Sequence, residues 1–118
     1  FVAVGVSGNI VRSTDNGSSW DNVTPTTGNR LNGITFGNNT FVAVGQSGNI
    51  VRSTNNGSTW DNATSPTTSN LLGVSFGNNT FVAVGNSGNI VRSTNNGSSW
   101  DNATSTTGNT IYGVTFYE

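Results

Sequence analysis

Ser13-Thr14-Asp15-Asn16-Gly17-Ser18-Ser19-Trp20 is a segment that recurs from residue 53 and from residue 93, a spacing of 40 residues each time. The Asp or Asn at its third position can accept hydrogen bonds from backbone N–H groups, and the Gly allows a positive φ. The pattern therefore predicts a tight hairpin turn, followed by a large apolar side chain that starts the next strand. The defining positions are Ser13, Asp15, Gly17, Trp20, Ser53, Asn55, Gly57, Trp60, Ser93, Asn95, Gly97 and Trp100.

The whole chain consists of three copies, at residues 1–40, 41–80 and 81–118. A period near 40 residues with short strands is typical of propeller blades, and a chain of this length is expected to form one domain. Copies this similar suggest recent amplification or deliberate idealisation. Because the chain begins with Phe1 and not with Met, we expect a processed, excised or engineered piece.

One period predicts four antiparallel strands, at residues 31–36, 41–44, 50–54 and 60–63. Short turns rich in Gly and Asn would join them, and a longer segment with Pro66 would cross to the next sheet. Phe-Val-Ala-Val at residues 41–44 is apolar on both faces, as in a strand covered on both sides. We therefore expect an all-β propeller of four-stranded blades. A β-prism or a single curved sheet is the alternative.

The recurring turn resembles the Asp-box, Ser-x-Asp-x-Gly-x-x-Trp, of bacterial neuraminidase repeat (BNR) propellers. Phe-Val-Ala-Val-Gly, which opens each copy at residues 1, 41 and 81, is similar to repeats of the photosystem II assembly-factor branch. Asn55 and Asn95 replace the Asp in the second and third copies. The resemblance covers the whole chain and implies a β-propeller.

Catalytic residues are not expected. The sialidases among the relatives implied by this resemblance need converging arginines, a Tyr–Glu pair and an acid. Here the tyrosines are Tyr112 and Tyr117, and the only Glu is Glu118. His and Cys, the commonest base and nucleophile, are absent. We predict that the chain is not an enzyme and needs no cofactor.

Charge also limits the partners. Charged residues make up 8% of the chain against roughly 25% in average domains, and the net charge is −1. With four basic residues and no basic run, nucleic acid is not expected as a partner. No apolar run approaches about 18 residues, so no membrane partner is expected. Asp15 is a single carboxylate, and calcium sites collect several oxygen ligands, so we predict no metal site. The sequence predicts no compartment.

Arginines recur at one position of every copy, as Arg12, Arg52 and Arg92. A turn with four unpaired residues would place them on neighbouring strands opposite Asp21, Asp61 and Asp101, as cross-strand ion pairs. The alternative is an arginine-bearing face for an acidic partner, as the assembly-factor resemblance implies. The repeated Trp side chains could stack on sugar rings, but a fixed position in every blade favours the core.

The copies differ mainly in the second turn and in the linkers, which leave a four-stranded meander on the same side. These positions form a candidate binding rim, or else loops that drift freely. They are Val6, Gln46, Asn86, Arg30, Asn70, Thr110, Asn32, Leu72 and Tyr112. Repetition suits multivalent binding, so a lectin-like module with a glycan ligand is an alternative function, and a protein-assembly factor is another.

The repeat boundaries predict how a ring would close. Complete blades span about residues 31–64 and 71–104, and the third is split between residues 111–116 and 1–24. Propellers usually need four to eight blades, and the split leaves unpaired edges. We predict that a closure strand completes residues 1–24 of a neighbouring chain; it consists of Ile111, Tyr112, Gly113, Val114, Thr115 and Phe116. A six-bladed homodimer is favoured over a nine-bladed homotrimer. The predicted function is a non-enzymatic scaffold that self-assembles by strand exchange.

Overall fold

The computed structural model describes residues 1–118, which form three antiparallel sheets. The first sheet contains β1 (Val2–Val4), β2 (Ile10–Arg12) and β3 (Asp21–Val23). The second contains β4 (Leu31–Gly37), β5 (Thr40–Gly45), β6 (Ile50–Ser53) and β7 (Asp61–Ala63). The third contains β8 (Leu71–Gly77), β9 (Thr80–Gly85), β10 (Ile90–Ser93) and β11 (Asp101–Ala103). Consecutive strands are neighbours in every sheet, so each sheet is a simple meander.

Short turns fix the register of each meander. Asn38 and Asn39 join β4 to β5 with φ values of 51° and 57°. Asn tolerates this left-handed conformation, and a turn with two positive φ values matches the twist of a hairpin. Phe36 then lies opposite Phe41 across the pair of strands. Tight turns at residues 6–8, 46–48 and 86–88 follow β1, β5 and β9, and Ser7, Ser47 and Ser87 adopt φ values of 56°, 60° and 59° in them.

The four strands predicted within one period are confirmed, with small changes at their ends, whereas the predicted strand at residues 111–116 is not formed in the single chain. The strand predicted to start at Trp60 begins at Asp61, and the one predicted to end at Thr54 ends at Ser53. The reason is that Trp60 belongs to the turn, where its indole Nε1 donates to the carbonyl of Gly57 at 3.0 Å. The large side chain therefore closes the hairpin loop and does not open the strand.

Two hydrophobic cores lie between the sheets. Ile10, Leu31, Ala43, Val51 and Trp60 fill the space between the first and second sheets. The core between the second and third sheets contains Val42, Val44, Ile50, Leu71, Phe81, Ala83, Val91 and Trp100. Val42, Ala43 and Val44 are all fully buried, although successive residues point to opposite faces. Burial of β5 on both faces, predicted from its sequence, is confirmed.

Residues 111–116, called here the donor segment, lie against the third sheet but belong to no strand. The N–H of Ile111 donates to the carbonyl of Gly85 at 3.0 Å, as Leu31 does to Gly5. The first strand of the second sheet, β4, and that of the third, β8, are called here the inner strands. The donor segment is therefore placed like the inner strand of a following sheet. The first sheet, by contrast, has no inner strand, since β1 pairs only with β2.

Candidate functional site

The recurring turn is held together by its own side chains. In the second repeat, the buried Ser53 hydroxyl accepts from the N–H of Gly57 at 2.9 Å and donates to Asn55 Oδ1 at 2.9 Å. Asn55 Oδ1 also accepts from the N–H of Thr59 at 3.0 Å. Each defining side chain thus satisfies a backbone group that the turn would leave unpaired. This network accounts for the Ser, Asx and Gly positions as structural residues.

The first turn carries a carboxylate where the others carry an amide. Asp15 accepts from the Ser19 hydroxyl at 2.6 Å, from the Ser19 N–H at 2.9 Å and from the Ser13 hydroxyl at 2.8 Å. These bonds, the Ser19 hydroxyl above all, lower the pKa of Asp15 from 3.8 to about 2. In the second turn, Asn55 Nδ2 donates to the Thr59 hydroxyl at 2.7 Å. The hydroxyl at this position of the turn therefore donates to an Asp and accepts from an Asn, so either side chain fits.

The three Trp side chains of the turns differ in exposure. Trp60 and Trp100 are 5% and 6% exposed, and each packs beside a Phe of the second strand of its sheet. Their prediction as core residues is confirmed. The same prediction is wrong for Trp20 in this chain: it is 44% exposed, because no sheet covers the face of the first sheet on which it lies. The exposed fraction of the Trp in each turn therefore depends on whether a neighbouring sheet covers it.

The repeated arginines connect one sheet to the next. Arg52 lies opposite Asp61 in the predicted register, but the predicted ion pair is wrong. Arg52 instead donates to the carbonyl of Asn96 at 3.2 Å, in the hairpin turn of the following sheet. Arg12 donates in the same way to the carbonyl of Asn56 at 2.8 Å.

The third arginine, Arg92, is exposed and lies opposite Asp101, with no following sheet to contact. Two of the three arginines are therefore used between sheets of one chain. The spacing of 40 residues revealed a repeated role, but it gave no sign that the partner is a backbone carbonyl in the next repeat.

The variable positions of the candidate binding rim do come together at one side of the sheets. Gln46 N–H donates to the carbonyl of Arg30 at 2.9 Å, and Asn86 N–H to the carbonyl of Asn70 at 3.0 Å. Asn32 Nδ2 donates to the carbonyl of Leu71 at 2.9 Å. The corresponding positions of the other repeats are Val6, Thr110, Leu72 and Tyr112. Val6 and Tyr112 are 60% and 76% exposed. Whether this rim binds a ligand stays a prediction.

An open groove of about 660 Å³ lies between the first and second sheets, beside the start of β1, the end of β2 and the first hairpin turn. It is called here the acceptor groove, and it adjoins the free edge of β1 that the inner strand of the first sheet would cover. Its lining includes Phe1, Val2, Arg12, Ile34, Phe36 and Phe41. Phe1 and Phe36 are 73% and 50% exposed, so much of the lining is apolar surface in contact with water. The sequence predicted the free edge but not the groove, which requires the second sheet to form its far wall.

Close approaches of backbone occur where each inner strand meets its neighbours, and such a set of contacts is called here a joint. A Cβ on Gly45 or Gly85 would overlap the carbonyl oxygen of Arg30 or Asn70, whereas Gly5 has open space around it. On the inner strands, a Cβ on Gly73 would lie 2.8 Å from the carbonyl oxygen of Tyr112. Nothing lies near the equivalent Gly113. Gly5 and Gly113 therefore lack, beside their Cα atoms, the backbone neighbour that their counterparts in the other repeats have.

The structure brings together no group of three or more His, Cys, Asp or Glu side chains that could hold a metal ion. It contains no helix with the length and apolar character needed to cross a membrane.

Three stacked antiparallel meanders define a β-propeller domain. The chain belongs to the family described as the DUF6242 beta propeller domain, whose model matches residues 1–112. It is also similar in fold to a solved structure described as YCF48 bound to D1 peptide, with a TM-score of 0.76 and 21% sequence identity. The match covers 90% of this chain and 36% of that one, so the chain spans about a third of its relative. A comparison with curated proteins finds no match.

Proposed function

We propose that this chain is a non-enzymatic propeller scaffold, of the Asp-box type, whose ring is completed by another copy of itself. The donor segment of one copy enters the acceptor groove of the next and becomes the inner strand of its first sheet. One observation carries the proposal: the first sheet lacks an inner strand, and the donor segment is placed as an inner strand without a sheet. The contacts that would join them already occur twice within the molecule. Unpaired strand edges are natural templates for pairing with another chain.

The register of the proposed pairing follows from the second sheet. There Gly33 lies opposite Val44, and Phe36 opposite Phe41 with ring centroids 4.6 Å apart. Moving this register to the first sheet places Gly113 of the donor opposite Val4 and Phe116 opposite Phe1. The exposed ring of Phe1 then receives the aromatic contact that its counterparts already have. This burial of apolar surface favours association.

The outer strands would form a matching joint. Val2 and Val42 reach the hairpin glycines of the following sheet, Gly57 and Gly97. Gly17, their counterpart, contacts only Trp20 of its own turn. In the assembly, the third sheet of one copy covers the first sheet of the next, and Trp20 becomes buried. Arg92 donates to the carbonyl of Asn16, as Arg12 and Arg52 donate in their own joints.

Blade number follows from closure. Each copy contributes three blades, and propellers usually contain four to eight. A homodimer therefore gives a six-bladed ring within that range, and a homotrimer gives nine blades, just beyond it. Closed assemblies of identical chains have two-fold or three-fold symmetry. The dimer is the favoured form.

The alternative functions have less support. A lectin-like role would use Trp side chains for sugar stacking, but Trp60 and Trp100 are buried. An acidic partner would need free arginines, but Arg12 and Arg52 bind carbonyls of the next sheet. A role as a protein-binding assembly factor is the second candidate. It is favoured by the apolar acceptor groove, and the fold relative described with a bound peptide is consistent with it.

Two substitutions test the proposal from both sides of the joint. Gly5→Ala has room within one chain but would overlap the carbonyl of Thr110 from the incoming copy. Gly113→Val has room within one chain, but the Val side chain would overlap the backbone of β4 in the receiving copy. Gly108→Thr is the control, because Gly108 has nothing near it and Thr68 stands at this position in the second repeat. Light scattering coupled to gel filtration is expected to show loss of assembly in both variants but not in the control.

Mixing the two variants then separates a blocked joint from a damaged fold. The donor of the Gly5→Ala chain and the groove of the Gly113→Val chain are both intact, so the mixture is expected to form a 1:1 heterodimer through one joint. Misfolded chains would not complement each other. Assembly of either single variant like the parent chain, or no association in the mixture, would overturn the proposal.

A further inference from the structure

The acceptor groove has walls that distinguish one incoming strand from another. We propose that it is a selective peptide site, which accepts an extended segment of the pattern x-x-Gly-x-x-Phe-Gly. We also infer that the donor segment of this chain mismatches the groove at the seventh position, where Tyr117 stands. This inference rests on the proposed function, since it takes the groove to receive an inner strand.

The first and fourth side chains of an inner strand face the preceding sheet, so the acceptor groove does not select them. Leu31 and Leu71, which begin the two inner strands, are 3% and 0% exposed and belong to the cores between sheets. Ile34 and Val74, at the fourth position, pack against the same cores. Leu31 and Ile34 pack with Ile10 of the first sheet, and Leu71 and Val74 pack with Ile50 of the second. The same two side chains of a strand added to the first sheet would lie on the face of Trp20, where the receiving chain has no preceding sheet to cover them.

The third position must be Gly, because neighbouring inner strands touch through their backbones. A Cβ on Gly33 would lie 3.3 Å from the carbonyl oxygen of Leu72, and one on Gly73 only 2.8 Å from that of Tyr112. In the acceptor groove, the inner strand of the second sheet forms the facing wall. The third residue of an incoming peptide would therefore meet the backbone of Asn32 and Gly33.

The sixth position is occupied by Phe in every repeat. Phe76 packs on Phe81 with ring centroids 4.7 Å apart, much as Phe36 packs on Phe41. In the acceptor groove this place lies over the exposed ring of Phe1. A Phe at the sixth position would cover it, whereas Ala would leave it in water. An aromatic pair stabilises the complex beyond the effect of the area that it buries.

The seventh position separates the donor segment from the other inner strands. Gly37 and Gly77 stand there, and a Cβ on either would overlap the ring of the next sixth-position Phe, Phe76 or Phe116. In this chain the seventh residue is Tyr117. Placed in the acceptor groove of another copy, its Cβ would meet the ring of Phe36. That ring would have to turn away, so the joint between copies packs less closely than the two joints within each copy.

Fluorescence anisotropy with labelled peptides tests this selectivity. The receptor is the full-length chain with Gly113→Val, whose own donor segment is blocked from other copies. The peptides comprise residues 109–118 in the parent form and with Tyr117→Gly, Gly113→Val or Phe116→Ala. We expect the Tyr117→Gly peptide to bind about tenfold tighter than the parent peptide, and the other two at least about tenfold more weakly.

A second receptor shows where the peptides bind. The full-length chain carrying both Gly5→Ala and Gly113→Val is expected to bind none of them, because the new methyl group blocks the carbonyl of Thr110. Equal binding by both receptors would overturn the assignment to the acceptor groove. Equal binding of the parent and Tyr117→Gly peptides, or undiminished binding of the Gly113→Val peptide, would overturn the selectivity.

The outcomes also separate this inference from the proposed function. If the parent chain stays monomeric while the peptides bind in the expected order, the groove is a peptide site and self-assembly is wrong. If the chain assembles but the peptide order is not observed, closure stands and the selectivity is wrong. No binding by any peptide would overturn the inference.

Discussion

Replacing a buried Trp with Ala tests the packing between sheets, and the chain supplies its own control. Trp60 is 5% exposed, packs against Phe41 with ring centroids 6.2 Å apart, and donates a hydrogen bond within its turn. Large-to-small changes at such sites cost about 3–5 kcal/mol. In a domain of this size, that loss lowers the midpoint of thermal unfolding by about 10–20 °C.

Trp20 provides the matched comparison. It occupies the same position of the first turn but is 44% exposed, so Trp20→Ala removes much less buried surface from a single chain. Because the free energy follows the area taken from water, its cost there should be about half that of Trp60→Ala. Ring closure would cover Trp20, so the two costs should converge as the protein concentration is raised.

Circular dichroism melts at low and high protein concentration measure both effects. A midpoint for Trp60→Ala within error of the parent chain would refute the burial of Trp60 between the sheets. A difference between the two variants that is unaffected by concentration would instead contradict the covering of Trp20 by a second copy.

Three further outcomes are expected. Charge reversal of Arg52 and of Asp61 should each lower the free energy of unfolding, and the two losses should add to within about 0.5 kcal/mol in a double-mutant cycle, because Arg52 bonds to the next sheet. A coupling energy well above that would show that the two side chains form an ion pair. Asp15 has its pKa lowered from 3.8 to about 2, so its stabilising contribution is complete above the unfolded value and is lost as the pH falls through about 2. Asp15→Asn should therefore weaken the acid dependence of unfolding over that range, and an unchanged profile would contradict the hydrogen bonds assigned to the carboxylate. Finally, Gly45→Ala overlaps a linker carbonyl within the chain and should disrupt the second sheet, whereas Gly5→Ala should block assembly alone; similar far-UV spectra for the two would argue against this difference.

Local features of the fold could be predicted from the sequence. The strands, the hairpin turns and the register of Arg52 opposite Asp61 all follow from spacings of a few residues within one repeat. Burial of β5 on both faces could also be predicted, because an apolar run without alternation needs cover on both sides.

Contacts between sheets could not be predicted in the same way. The partner of Arg52 is a backbone carbonyl 44 positions away, and backbone groups carry no sequence signal. Trp20 and Trp60 occupy identical places in the pattern, yet only one has a neighbouring sheet to cover it. The acceptor groove likewise has one wall from the first sheet and one from the second. Such features depend on how repeats stack, which the period alone does not specify.

The central claim is that one copy completes the ring of another, and the mass of the folded parent chain in solution tests it most directly. Light scattering coupled to gel filtration at micromolar concentration is expected to give twice the chain mass of 12.2 kDa, with three times that mass as the second possibility. A folded species of 12.2 kDa under these conditions would contradict closure by strand exchange.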